Sequence, residues 1–295
     1  MLTYLETPVQ EIQHNALDKA GVRLLVKRED LNHPLVSGNK WWKLKYNLEA
    51  AVRCNQPILT FGGAYSNHIF ATAAAAKELA LQSVGIIRGE RVEPLNHTLA
   101  FAEKQGMTLH FVTRESYRTK TEHAFLRTLT NKFGNYFLIP EGGTNSLALR
   151  GCEEFANQKL NPIDFDVLML PIGTGGTIAG IVCGLNEKKE VLGVSVLKNG
   201  NFLHTEINIL LQKYSRKVYG NWSVLTSYDH GGYAKVTQEL LDLVSAMKMK
   251  HNLPLDTVYT GKLMWAVLKE ADRGRFSRGS TVLALHTGGL QGIYS

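Results

Sequence analysis

The chain has 295 residues, 44% of them hydrophobic, which is material for one large or two modest globular domains. Its net charge of +7 is scattered, with no basic run interleaved with aromatics, which argues against a nucleic-acid partner and for a basic surface that attracts small anions. The most apolar stretch, "HIFATAAAAKELALQSVGII", is interrupted by Lys77 and Glu78, so no membrane span is expected. The start, "MLTYLETPVQEIQ", lacks a signal peptide's basic-then-apolar order. Three cysteines (Cys54, Cys152, Cys183) form no CxxC pair, which predicts a reducing, cytoplasmic setting without a disulfide framework.

In chain order, "SGNKWWKLKYNL" sets Lys40 at the start of an expected helix. "PILTF" predicts a strand before an alanine-rich helix beginning near Asn67, and "SVGIIRG" a strand before a helix around "LNHTLAFAEKQG". "TLHFVT" and "NYFLIP" read as further strands. A second series follows: "FDVLMLPIG", a helix from Gly176, "EVLGVSVLK", an amphipathic helix around "LHTEINILLQKY", and a last strand at "STVLALH". Continuous apolar strands alternating with helices predict buried, mostly parallel sheets, and two such series predict two α/β units with a cleft between them as the default site.

Three stretches carry chemistry. In "MLPIGTGGTIAGI", a buried strand ends in Gly173, Thr174, Gly175, Gly176 and Thr177, which open a helix. Glycines there let backbone N–H groups approach an anion, and the threonines add hydroxyl donors, so the loop reads as a phosphate cradle; a tight turn with packing glycines is the alternative. It is neither a P-loop nor the dinucleotide fingerprint. In "FGGAYSNHIFATAAAA", Ser66, Asn67 and His68 stand at a helix start, either as ordinary caps or as a carboxylate-binding end. Lys40 is either a solvated surface residue or an amine needed in its neutral form, because a helix N-terminus disfavours the ammonium. A neutral lysine forms a Schiff base with an aldehyde, and together with a phosphate loop that suggests pyridoxal phosphate. No HExxH spacing indicates zinc, and "GGAYSNH" is not a GxSxG elbow. Adjacent Trp41 and Trp42 are expected to pack their helix against the smaller unit.

Taken together, "KREDLNHPLVSGNKWWKLKYNL", "FGGAYSNH", "PEGGTNSLALRG", "PIGTGGTIAG", "LDTVYTGK" and "LHTGG" resemble the D-cysteine desulfhydrase / 1-aminocyclopropane-1-carboxylate (ACC) deaminase family, in the family's order from about residue 27 to 290. These are pyridoxal 5'-phosphate enzymes of the tryptophan-synthase-β fold type (fold type II). The resemblance implies a large cofactor domain from residues 1–45 and 146–295, with a small domain of 46–145 inserted after the lysine helix. It implies that Lys40 carries the cofactor as a Schiff base and acts as the catalytic base. Gly173–Thr177 would hold the phosphate, Asn67 would face the pyridoxal 3-hydroxyl, and Thr287 would partner the pyridine nitrogen. Ser66, Asn67, His68, Tyr259 and Tyr233 would line the substrate, with Ser66 and Tyr259 among the catalytic groups. A homodimer acting on a small amino acid is implied as well.

The branch is read from three blocks. ACC deaminases resemble "SNQ", "YEGK" and "HLGG"; this chain has "SNH", "YTGK" and "HTGG", so His68, Thr260 and Thr287 lean toward D-cysteine desulfhydrase. The expected reaction is α,β-elimination to pyruvate, ammonia and sulfide. ACC deamination, or elimination from another D-amino acid such as D-serine, is the alternative; a non-catalytic pyridoxal-phosphate or phosphorylated-ligand binder is the alternative of another class. Ala64-Tyr65, where an Ile-Gln-type pair is common, and Thr257, where proline is usual, depart from the family pattern.

Overall fold

A computed structural model describes residues 1–292. After β1 (Val9–Ile12), α1 (Asn15–Ala20) and β2 (Arg23–Lys27), the long helix α2 (Asn39–Cys54) leads into β3 (Ile58–Gly63), α3 (Asn67–Glu78), β4 (Ser83–Arg88), α4 (His97–Lys104), β5 (Met107–Val112), α5 (Arg114–Arg118), α6 (His123–Phe133) and β6 (Phe137–Ile139). Then come α7 (Ser146–Phe155), β7 (Val167–Ile172), α8 (Gly176–Leu185), β8 (Glu190–Ser195), α9 (Phe202–Ser215), β9 (Trp222–Leu225), α10 (Gln238–His251), α11 (Thr260–Asp272) and β10 (Thr281–Leu285). The strands form a six-stranded sheet in the order β1-β2-β10-β7-β8-β9 and a four-stranded sheet in the order β5-β4-β3-β6. Among the described residues only the β1–β2 pairing is antiparallel. Apolar strands covered by helices on both faces are what parallel sheets require, and the mostly parallel α/β architecture expected from the strand–helix alternation is the one observed.

The elements expected from "PILTF" to "STVLALH" all form. Those not anticipated are β1, β2 and β9 and helices α1, α7, α10 and α11, and the interval between β5 and β6 holds two helices, α5 and α6. The first two strands are short, and β1 is a partly exposed edge with burial only at Ile12. α9 buries Leu203, Ile207 and Leu211 at a four-residue spacing, the single stripe its sequence predicts.

Helix α2 joins the two halves. Leu44, Leu48 and Ala51 pack in the core of the four-stranded sheet with Ile58, Ala71, Ala74 and Ile139. Trp41 and Trp42 instead enter the core of the six-stranded sheet. Their rings lie 5.1 and 5.0 Å from Tyr4, and Trp42 lies 5.0 Å from Phe155 of α7. The expectation that the tryptophans face the smaller unit is therefore corrected: both are drawn into the six-stranded sheet's core by the aromatic cluster with Tyr4 and Phe155. Helices α2 and α7 meet at Gly151, where any Cβ would lie 1.9 Å from the Trp42 carbonyl oxygen.

The entry to α2 is organised by one buried carboxylate. Glu29 accepts hydrogen bonds from Tyr4 Oη (2.9 Å), Thr7 Oγ1 (2.6 Å), Asn32 Nδ2 (2.9 Å) and Trp42 Nε1 (2.8 Å). Its backbone oxygen accepts from Gly38 N (2.9 Å), and Asn32 brackets Gly38 through its side chain at 2.9 and 3.0 Å. Removing the carboxylate leaves several buried donors unpaired, so Glu29→Ala should lower unfolding stability by about 3–5 kcal/mol. Denaturant titration measures this; a loss below about 1 kcal/mol would contradict the assigned role.

Candidate active site

The carboxyl ends of both sheets face a common crevice, the usual ligand position in open parallel sheets. β7 ends at Gly173, β3 leads to Ser66, β10 leads to Thr287 and β4 ends at Arg88. Between them lies a cavity of about 470 Å3. Of the residues singled out from sequence, Lys40, Ser66, Asn67, His68, Gly173, Thr174, Gly175, Thr177, Tyr233, Tyr259 and Thr287 line it. Gly176 does not; it opens α8 behind the loop, buried against Thr144 and Lys43.

Lys40 is the second residue of α2. Gly38, the N-cap, has φ +70°, and a Cβ there would lie 1.9 Å from the Thr287 carbonyl oxygen. Only glycine allows this approach, which ties the start of α2 to the end of β10 and aims Lys40 into the cavity. The Lys40 Nζ donates to Asn39 Oδ1 (2.9 Å), and Asn39 Nδ2 donates to Thr177 Oγ1 (2.9 Å). Burial lowers the Lys40 amine from 10.5 to about 8. At pH 7 about one molecule in ten would hold it neutral, against about one in three thousand for an ordinary lysine.

Lys43 was not anticipated. It lies one turn beyond Lys40 on the same helical face, a spacing visible in "KWWK". It is buried, donates to Thr144 Oγ1 (3.0 Å), and is lowered to about 7 by burial and by the Lys40 charge. Thr144 in turn shares a hydrogen bond with Thr174 Oγ1 (2.7 Å). The N-terminus of α8 beside it has no side-chain cap. A Cβ on Gly176 would fall 2.8 Å from Thr144 Oγ1 and 3.2 Å from Lys43 Nζ. Neither lysine has a carboxylate partner among the described residues. Two buried amines without counter-charge beside an open helix N-terminus and hydroxyl donors fit a phosphate dianion joined to an aldehyde.

On the opposite wall Ser66 caps α3, accepting weakly from Ile69 N (3.3 Å). His68 is buried and paired with Thr60 Oγ1 (2.8 Å), whose own proton goes to the Ile139 carbonyl (2.8 Å). That order assigns the ring proton to Nε2 and leaves Nδ1 bare and unpartnered among the described residues. Burial, reinforced by Lys40 and Lys43, holds the imidazole well below its usual range, hence neutral. Asn67 accepts from Gln291 Nε2. Thr287 is 7% exposed and lines the cavity at the β10 end. Cys152, beneath the two lysines, is pushed up to about 11 by burial and stays a thiol.

The tyrosines are placed by two polar clamps. Asp256 accepts from the N–H groups of Val258, Tyr259 and Thr260 (2.8, 2.8 and 2.9 Å) and from Thr260 Oγ1 (2.7 Å), which fixes the turn bearing Tyr259. Thr260 is thereby turned toward Asp256 and does not line the cavity. Lys262 Nζ donates to the carbonyls of Asp229 and Gly232 (both 2.7 Å), pinning the loop that carries Tyr233. The two tyrosine rings meet edge-on at 6.1 Å. Burial, then Tyr233, holds the Tyr259 phenol well above its ordinary range, so it is a proton donor at neutral pH. Arg88 completes the rim without an acidic partner among the described residues.

The profile of the family described as "Pyridoxal-phosphate dependent enzyme" matches residues 1–288. A Pyrococcus abyssi protein named as a candidate ACC deaminase is 31% identical over 98% of this chain and 91% of its own length. The "Bifunctional D-cysteine desulfhydrase/1-aminocyclopropane-1-carboxylate deaminase, mitochondrial" of Arabidopsis thaliana is 31% identical over 99% of this chain and 78% of its own. A crystal structure of an ACC deaminase homologue superimposes with a TM-score of 0.84 at 28% identity, covering 99% of this chain and 92% of that one.

Two outcomes are expected. Capture of pyridoxal phosphate by cofactor-free protein should accelerate as pH rises through about 8, where Lys40 loses its proton, and level off above it. Stopped-flow absorbance follows this; a midpoint near an ordinary lysine's 10.5 would contradict it. Inorganic phosphate should raise the melting temperature of the cofactor-free protein, and Lys43→Met should remove at least half of that rise.

Proposed function

Because the chain belongs to the pyridoxal-phosphate dependent enzyme family, we propose that it is a lyase that eliminates the β-substituent of a small amino acid, with D-cysteine desulfhydrase-type α,β-elimination as the leading reaction. The observation that carries this reading is a threonine, Thr287, lining the cavity at the end of β10, with a second threonine, Thr260, in the turn that bears Tyr259. The ACC deaminases that the chain resembles have leucine and glutamate in these two blocks. ACC deamination is the second reading, supported by the names of the relatives and by their identity over nearly the whole chain.

In this reading Lys40 holds the cofactor covalently, while Lys43, Thr174, Thr177 and the first N–H groups of α8 hold its phosphate. Asn67 and Thr287, both on the cavity wall, would hold its ring. Bound pyridoxal phosphate supplies an electron-accepting ring that spreads the charge left when the substrate Cα proton departs. The start of α3, with Ser66, binds the substrate carboxylate. Lys40, neutral in part at physiological pH, takes the Cα proton at Nζ. Tyr259, protonated, delivers a proton to the departing group, and Tyr233 closes over it. His68, neutral and with Nδ1 unpartnered among the described residues, leaves an acceptor for a polar hydrogen on the same wall. The hydroxyl of Thr287 does not keep a ring nitrogen protonated as a carboxylate would, which restrains charge delocalisation and favours elimination over transamination. We further propose the two-domain division 1–45 with 146–295, and 46–145, supported by the two sheets. No helix among the described residues is long and apolar enough to cross a membrane; a cytoplasmic homodimer is proposed from the family resemblance.

The test is 2-oxo-acid release by the yellow protein: pyruvate from D-cysteine and L-cysteine, 2-oxobutyrate from ACC. Release from D-cysteine with at least a tenfold preference over ACC supports the lyase reading, whereas 2-oxobutyrate from ACC in its place would establish deamination. Lys40→Ala should lose the visible absorbance that pyridoxal phosphate gives the wild-type protein, and at least a thousandfold in rate. Retained absorbance would refute the lysine's role.

A further inference from the structure

A second cavity, of about 580 Å3, opens beside the catalytic one. The two share Tyr65, Asn67, Tyr233 and Tyr259 as a common wall. Beyond that wall the lining is mainly apolar, with Ala234, Val244, Leu255 and Val258 joined by Thr257, Gly289 and, at the start of α4, His97 and Thr98. Its one carboxylate, Asp256, is consumed by the four hydrogen bonds that fix the Tyr259 turn. The His97 ring is engaged by Thr98 Oγ1 (3.1 Å). The chamber therefore offers apolar and aromatic surface and no free charge. At its mouth Tyr65 is 65% exposed and Tyr233 44% exposed, two large ring surfaces left to solvent. Exposed apolar surface gathered at a cavity marks a ligand contact.

Resting on the lyase reading, we infer that the preferred substrate is a cysteine carrying an uncharged alkyl or aryl group on sulfur, and that this group occupies the second cavity. A free thiol is too small to reach past Tyr233 and Tyr259. A charged β-substituent would be desolvated there with no partner. A thioether meets both limits, and thiolates, with a parent pKa near ~8.5, leave far more readily than alkoxides. The reaction balances with water alone. The Cα–H proton is removed, the Cβ–S bond breaks with its electron pair going to sulfur, and the sulfur is protonated. The three-carbon remainder then takes up one water, giving RSH, pyruvate and ammonium from RSCH2CH(NH3+)COO− and H2O. Tyr259, on the shared wall, lies between the two chambers to protonate the departing sulfur.

The experiment uses the cofactor-loaded enzyme with both enantiomers of S-benzylcysteine, alongside D-cysteine. Two variants fill the chamber from opposite walls, Val244→Trp from α10 and His97→Trp from α4; neither residue belongs to the catalytic machinery. One enantiomer of S-benzylcysteine should give pyruvate with kcat/KM at least tenfold above that of D-cysteine. Both variants should lose at least tenfold for S-benzylcysteine and stay within twofold for D-cysteine, which also reports intact folding. The binding readout is the rise in melting temperature caused by S-benzylcysteine, lost in both variants. A rise that the variants abolish, without pyruvate from any substrate, would support the chamber while refuting the lyase reading. Pyruvate from D-cysteine with no binding of S-benzylcysteine, or binding indifferent to both tryptophans, would overturn the inference and leave the lyase reading standing.

Discussion

The buried carboxylate of Glu29 is the interaction on which the site depends. It gathers the N-terminal segment through Tyr4 and Thr7, the turn after β2 through Asn32, and α2 through Trp42. A carboxylate accepting several hydrogen bonds is stable at 1% exposure because every lone pair has a donor, and the donors are satisfied only while it is present. Its backbone oxygen also receives Gly38. The same node therefore sets the φ of the one residue that must pass within reach of the Thr287 carbonyl, and Lys40 follows two positions later. The placement of the amine is decided by a polar network at the back of α2 as much as by the cavity wall.

That placement has an electrostatic consequence. Lys40 and Lys43 are brought within one helical turn, under protein, with no acid to neutralise them. Desolvation pushes both toward the neutral form, and the Lys40 charge adds to this at Lys43. Beside them, α8 begins without a side-chain cap. The protein alone is thus left with an excess of positive potential in the crevice, and a phosphorylated aldehyde would relieve it at two points, the dianion answering Lys43 and the helix end and the carbonyl using the neutral fraction of Lys40. The opposite wall is kept electrically quiet. His68 is held neutral by burial and by the two lysines, with the Thr60–Ile139 relay fixing its tautomer, so it adds no further cation where a substrate carboxylate would lie.

Much of this was legible in the sequence, for identifiable reasons. Buried parallel strands write themselves as unbroken apolar runs, so "FDVLMLPIG" and "STVLALH" needed no tertiary information. Glycine turns opening helices at 173–177, and the Ser66–His68 start of α3, are local backbone chemistry and surface in any reading of the chain. What stayed hidden was tertiary. Strand β1 exists because β2 offers it a partner, not because of four mixed residues. The direction of Trp41 and Trp42 follows from Tyr4 and Phe155, which lie far away in sequence. Lys43 was visible in principle through its helical spacing from Lys40, but its lack of an acid partner belongs to the fold. Thr260 was legible as a branch marker beside Tyr259; that the Asp256 clamp turns its side chain away from the cavity belongs to the fold.

The central claim, that the fold delivers one particular amine to the cofactor, is tested most directly by trapping the linkage. The yellow protein would be reduced with borohydride, digested, and the peptides mapped by mass spectrometry. A single pyridoxyl-phosphate adduct on Lys40 is the expected result. An adduct on Lys43, or none on the segment that begins α2, would contradict the account.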